Sequence, residues 1–125
     1  MDVEKLIKIL IADDNPHSRS GMRALLSTRP DFVITGEACD GLDAVQQVKQ
    51  KPPDVVLMDV QMPRMDGITA TRIITDLCPQ VHIIILTLYE NYLSEAMSAG
   101  ASAFLTKGIP PDQLFSAIQS TAACS

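Results

Sequence analysis

Val55-Val56-Leu57-Met58-Asp59-Val60-Gln61-Met62-Pro63-Arg64-Met65-Asp66-Gly67 contains the unit from which this chain is built. Its first four residues are an uninterrupted apolar run, which predicts a short strand buried on both faces. The run ends on an aspartate, a loop carrying Pro63 follows, and Asp66 stands where it can cap a helix. That helix buries Ile68, Ile73, Ile74 and Leu77 at helical spacing. The unit is thus a buried strand, an acidic residue at its carboxyl end, a loop and an amphipathic helix.

The same unit recurs on either side. Upstream, Leu6 to Ala12 (LIKILIA) reads as a strand that stops at Asp13-Asp14. Asn15 then supplies an N-cap and Pro16 a first helical position, for a helix running to about Thr28 with Met22, Leu25 and Leu26 on one side. Phe32 to Ala38 is a further strand, and Asp40 opens a helix with Asp43 three residues on and Leu42, Val45 and Val48 inward. Downstream, His82 to Leu86 is a strand ending at Thr87, and Asn91 to Ala99 is a helix stopped by Gly100. Ala103-Phe104-Leu105 leads to Lys107, and a last helix runs from Pro111 to about Thr121 with Leu114, Phe115 and Ile118 facing in. Five strands alternating with five helices specify an α/β fold: one doubly wound parallel sheet, order 2-1-3-4-5, covered by helices on both faces.

Length and composition agree. The chain's 125 residues make one domain, here residues 1–125, with a core of about 6–121 and a short tail or incipient linker at 122–125. A hydrophobic fraction of 46% suffices for a globular core, and no apolar run approaches membrane-spanning length. The N-terminus is acidic where a secretory signal would be basic, so a cytoplasmic location is expected. Three cysteines, Cys39, Cys78 and Cys124, have no metal-ligand spacing and read as reduced, mostly buried thiols. The six methionines read as core filler, His17 and His82 as structural or surface residues, and Arg64 as a solvated loop charge. A net charge of −5 argues against direct contact with nucleic acid.

Ligands of such sheets bind at the carboxyl ends of the strands, where the strand order reverses. Asp13, Asp14, Asp59, Thr87 and Lys107 all fall there. Taken singly, each aspartate is an ordinary turn or cap residue, Thr87 is uninformative and Lys107 is a solvated charge. Jointly they form a pocket of three carboxylates that repel one another unless cations compensate. Lys107 is one such cation; a hard divalent ion with oxygen ligands, Mg²⁺, suits the rest better than zinc. This set fits phosphoryl transfer to a carboxylate, with Asp59 as nucleophile and Lys107 and Thr87 binding the transferred oxygens.

In Ile11-Ala12-Asp13-Asp14-Asn15, in Val56 to Gly67, in Ile85-Leu86-Thr87 and in Ala99 to Lys107, in that order and at those intervals, the chain resembles the receiver domain of bacterial two-component response regulators. The resemblance covers Ile7 to about Ile118. It implies that Asp59 is the phosphorylated aspartate, that Asp14 binds Mg²⁺ directly and Asp13 mainly through water, and that the Gln61 backbone carbonyl completes the metal site. It implies further that Thr87 is the switch hydroxyl, Lys107 the phosphate-binding lysine and Phe104 the aromatic rotamer switch, where many receivers carry Tyr. Gly108 stands where many receivers have Pro. The segment after Asp14 is most similar to receivers preceding a LuxR-type (NarL-type) helix-turn-helix output domain. A sensor histidine kinase as phosphodonor, DNA contact only through such an output domain and a phosphorylation-dependent homodimer are the implied partners. Such a domain is a signalling phosphoacceptor, not an enzyme.

Two other readings share the fold. A flavodoxin-like flavin module would place a Ser/Thr/Gly-rich phosphate cradle after the first strand, where this chain has Asp13-Asp14-Asn15-Pro16. A small metal-dependent phosphatase would use Asp13 as nucleophile and need a substrate-enclosing lid, for which no insertion exists.

Overall fold

A computed structural model describes residues 5–123. Strands β1 (Ile7–Ala12), β2 (Phe32–Ala38), β3 (Val55–Met58), β4 (His82–Thr87) and β5 (Ala103–Thr106) alternate with helices α1 (Pro16–Leu26), α2 (Gly41–Gln50), α3 (Gly67–Leu77), α4 (Leu93–Ala99) and α5 (Pro111–Ala123). All strand pairs are parallel and the order is β2-β1-β3-β4-β5, as expected.

Helices α1, α2 and α3 each begin where a side chain satisfies free amides of the first turn. Asn15 accepts from the His17 and Ser18 N–H groups, Asp40 from Asp43 N–H and Asp66 from Thr69 N–H. Alternation along the central strands divides the core in two. Val56, Met58, Ile83 and Ile85 pack under α2, α3 and α4 with Val45, Val48 and Ile74. Ile9, Ile11, Val55, Leu57 and Ile84 face α1 and α5, meeting Leu26, Leu114 and Ile118. Each fully buried aliphatic side chain contributes about 1.5–3 kcal/mol, so the three inner strands dominate stability.

Several expectations change at the edges. Leu6 lies outside β1 and is exposed, ahead of the first residue that pairs with β2, Ile7. Burial on both faces holds for β3, but β5 is only half-buried throughout and β2 largely so, since each edge strand has a neighbour on one side alone. Leu77, at the last turn of α3, is 50% exposed instead of facing inward, and Leu42 and Ile73 are half-buried. The helix expected from Asn91 begins with a 3-10 turn, Glu90–Tyr92, and α4 proper starts at Leu93. Of the cysteines, Cys39 is exposed and Cys78 half-buried, against the buried thiols expected; Cys124 lies outside the described residues. Met58 is core, but Met97 is exposed on α4. His17 is exposed, and His82 is half-buried with Nδ1 3.1 Å from the Ser102 hydroxyl. Arg64 is an exposed loop residue, as expected of a solvated charge, but it is also paired: its Nε donates to Asp40 Oδ2 at 2.7 Å.

Candidate functional site

The register of the sheet assembles the site. Ala12 pairs with Met58, and Thr87 with Thr106, so the next residues along, Asp13, Asp59 and Lys107, emerge together at the carboxyl edge. Backbone bonds fix them there: Asp59 N–H donates to the Ala12 carbonyl at 2.9 Å, and Lys107 N–H to the Thr87 carbonyl at 2.7 Å. A Cβ on Gly67 would overlap the Asp59 carbonyl oxygen, so α3 starts directly against the Asp59 backbone and only glycine fits.

One carboxylate oxygen from each of Asp13, Asp14 and Asp59 lies within 4.8 Å of the other two. Lys107 Nζ donates to Asp13 Oδ2 at 2.9 Å, to Asp59 Oδ2 at 3.0 Å and to Ser18 Oγ at 3.3 Å. The other Asp59 oxygen, Oδ1, accepts from Val60 N–H at 2.7 Å. Asp13 is buried, Asp59 half-buried and Asp14 exposed, in a cleft of about 850 Å³ also lined by Gln61, Met62, Leu88, Tyr89 and Tyr92.

Burial and charge act on these groups in opposite senses. Burial raises the Asp59 carboxyl pKa from its ordinary value, the neighbouring Asp13 charge adds to this, and Lys107 with Val60 N–H offsets it only in part. At Asp13 burial is also the largest single influence, but hydrogen bonds from Ser18, Asn15 N–H and Lys107 together outweigh it and leave that carboxyl low. For Lys107 burial disfavours the charge, yet the bonds and charges of Asp13 and Asp59 prevail and hold its ammonium above the ordinary lysine value. The lysine is therefore a fixed cation, and Asp59 the carboxylate least comfortable with its charge.

Thr87 is placed differently from the expectation that it walls the pocket. It is fully buried, its Oγ1 accepts from Tyr89 N–H at 3.3 Å, and its side chain does not line the cleft. Phe104 is half-buried against the core cluster under α2, α3 and α4, two residues along β5 from Thr106, the partner of Thr87. Gln61 lines the cleft, and its side-chain Nε2 donates to the Tyr92 hydroxyl at 3.1 Å. Ser18, Arg19, Tyr92 and the Arg64–Asp40 pair were not marked out by sequence. Ser18 had a signal: three residues past the cap Asn15, it occupies the first turn of α1, which starts at the carboxyl edge. Arg19, whose guanidinium donates to the Asp13 carbonyl at 2.6 Å, had none.

The sequence profile of the response regulator receiver domain matches residues 9–119. The chain belongs to this family. A transcriptional regulatory protein of Bacillus subtilis, YxjL, is 42% identical over 118 residues, which is 93% of this chain and 54% of that protein. The oxygen regulatory protein NreC of Staphylococcus carnosus is 39% identical over 116 residues, 90% of this chain and 54% of its own length. Among solved structures, a LuxR-family two-component response regulator from Aurantimonas superposes with a TM-score of 0.90 at 34% identity, over 95% of this chain and 86% of that one. The receiver of a NarL response regulator from Mycobacterium tuberculosis also gives 0.90, at 26% identity, over 95% and 98% of the two chains. This receiver is thus of the LuxR/NarL type found in transcription regulators, and spans about half the length of the curated relatives it matches. The family supports neither the flavin-binding nor the phosphatase alternative. Among the described residues, no helix is long and apolar enough to cross a membrane.

The donor set suits Mg²⁺. It is all oxygen and carboxylate-rich, neither histidine nor cysteine joins it among the described residues, and the cleft is open enough for the waters that this ion retains.

Proposed function

We propose that this receiver accepts a phosphoryl group on Asp59 from the phosphohistidine of a sensor kinase or from a small acyl phosphate, and thereby controls an output carried by another part of the parent protein. The observation that carries this reading is the Lys107 ammonium bridging Asp13 and Asp59 beside a third carboxylate, at the edge where the sheet order reverses.

In this reading the Asp59 carboxylate attacks phosphorus, an acyl phosphate bond forms, and the bond to the donor breaks, with the leaving imidazole or carboxylate keeping the electron pair. Asp59 has little stabilisation for its charge to lose on attack. Lys107 exchanges its contact with Asp59 Oδ2 for a phosphoryl oxygen, and the Thr87 hydroxyl donates its O–H to another. Asp14 and Asp59, with the Gln61 carbonyl, would hold Mg²⁺ directly, and Asp13 mainly through water. When bound, the ion neutralises the transferred oxygens and the carboxylate cluster. The domain assists its own phosphorylation and dephosphorylation but turns over no separate substrate. A cytoplasmic location, a DNA-binding output domain and a phosphorylation-dependent homodimer complete the reading; the charge of −5 is consistent with DNA contact lying outside this domain.

Intact mass after incubation with acetyl phosphate and Mg²⁺ tests it. The expected gain is one phosphoryl group in the native chain and none in Asp59→Asn. Equal labelling of the Asn variant would remove Asp59 from this role. Asp14→Ala should abolish labelling and weaken Mg²⁺ binding far more than Asp13→Ala does; equal, mild effects would reverse the assignment of the direct ligand.

A further inference from the structure

Arg64 is, among the described residues, the only non-glycine residue with left-handed backbone, at φ 65°. That conformation crowds an L side chain against its own backbone, so an arginine there needs a compensating contact. It has one in the 2.7 Å bond from its Nε to Asp40 Oδ2. The Asp40 side chain is only 4% exposed, and its other oxygen caps α2 by accepting from Asp43 N–H at 2.8 Å. A carboxylate so enclosed keeps its charge through its partners, and the guanidinium is the one that carries opposite charge to it.

The backbone beside this pair is clamped as well. Gly41 N–H donates to the Met65 carbonyl at 2.9 Å. A Cβ on Gly41 would overlap that same oxygen and lie 2.9 Å from the Asp66 carbonyl oxygen, so residues 64–66 rest directly on the start of α2. At the other end of the loop, Gln61 is tied through its side chain to the Tyr92 hydroxyl at 3.1 Å. Between these anchors runs the backbone of Gln61, Met62 and Pro63, along the wall of the acidic cleft.

We propose that Arg64 is a positioning residue for the phosphoryl site: its ion pair with the buried Asp40 holds loop 60–66 in the conformation that points the Gln61 carbonyl at the metal. This rests on the metal reading above and adds to it a residue that touches neither metal nor phosphate. An arginine that fastens an outer loop acts on the ligand geometry through the backbone, as outer-shell partners of metal sites do.

Arg64→Gly is the informative variant, because glycine suits the left-handed backbone while deleting the guanidinium. Its Mg²⁺ dissociation constant, measured by calorimetry on the unphosphorylated domain, should rise roughly tenfold. Asp40→Asn, which retains a cap acceptor, should weaken Mg²⁺ comparably, the double variant should be no worse, and Arg64→Lys should recover part of the loss. Without Mg²⁺, amide exchange at Gln61 and Met62 should quicken in Arg64→Gly while that of α2 stays slow. Affinity within a factor of about two of the native chain overturns the proposal, as does a loss that tracks a fall in melting temperature and is not rescued by lysine. If the native domain itself binds no Mg²⁺, the metal reading fails and the proposal with it as stated. The exchange measurement then decides the loop-fastening step alone, which unchanged rates at Gln61 and Met62 would refute.

Discussion

At the scale of single residues, the site is an electrostatic compromise centred on Lys107. Two carboxylates share its ammonium, and they share it unequally: Asp13 has Asn15 N–H and Ser18 besides, whereas Asp59 has Val60 N–H alone. The unequal support has a consequence for stability. Asp59 carries a raised carboxyl pKa in the folded state, so its ionised form costs the fold free energy at neutral pH, and that cost disappears as pH falls through the folded pKa toward the unfolded one. Asp59→Asn should therefore raise the melting midpoint at pH 7, with Lys107 still paired to Asp13. The gain should shrink in mildly acidic buffer. Asp13→Asn should act in the opposite sense, because a lowered pKa contributes stability above the unfolded value that is lost only as pH falls through the folded one. Midpoints measured from neutral to acid pH check both signs; an Asp59→Asn chain less stable than the native one at pH 7 would contradict this account.

At the scale of elements, helix starts do the positioning. The caps Asn15, Asp40 and Asp66 were legible in sequence because a capping side chain precedes an apolar period in each case. The strand ends were legible too, since an apolar run that stops on Asp13 or Asp59 marks both the strand and the edge where it emerges. Side-chain pairings across loops were not: Arg64 and Asp40 are 24 positions apart, and neither carries a local pattern that reveals a partner. Nor was the side-chain direction of Thr87, since strand position gives the face and depth of a residue and not its rotamer. Glycine contrasts the two kinds of site within helices. Gly67→Ala drives a methyl into the Asp59 carbonyl and should cost on the order of 2–4 kcal/mol as well as labelling. Gly21→Ala, in the middle of α1 with nothing within 4 Å of the added Cβ, should stabilise by about 0.5–1 kcal/mol through helix propensity and leave labelling intact. Denaturant midpoints and phosphoryl labelling of the two variants check this pair, and equal effects would mean that the contact at Gly67 relaxes freely.

At the scale of the whole molecule, the proposed function requires a phosphoryl group at one edge of the sheet to change a surface that a partner reads. The receiver should be a two-state body whose equilibrium the new charge biases. The Thr87 side chain is fully buried and its hydroxyl accepts from Tyr89 N–H, so bringing its O–H, still free to donate, to a phosphoryl oxygen requires the residue to move. Its movement would draw residues 87–89 toward Asp59 and vacate volume beside β5, where Phe104 is half-buried against the core. Phe104 has no hydroxyl to desolvate on turning inward, so its inward rotamer should be populated before phosphorylation, and the switch should be graded. The exposed Leu88, Tyr89, Leu93 and Met97 lie along the segment that would shift. A structure with beryllofluoride and Mg²⁺, a mimic of the aspartyl phosphate, should show Thr87 Oγ1 directed at the fluoride and Phe104 buried more deeply. Thr87→Val should retain labelling at Asp59 while largely uncoupling it from the Phe104 ring, followed by aromatic NMR shifts with and without beryllofluoride. If Thr87 and Phe104 keep the same rotamers in both states, or if the valine variant couples as the native chain does, the signal leaves Asp59 by another route.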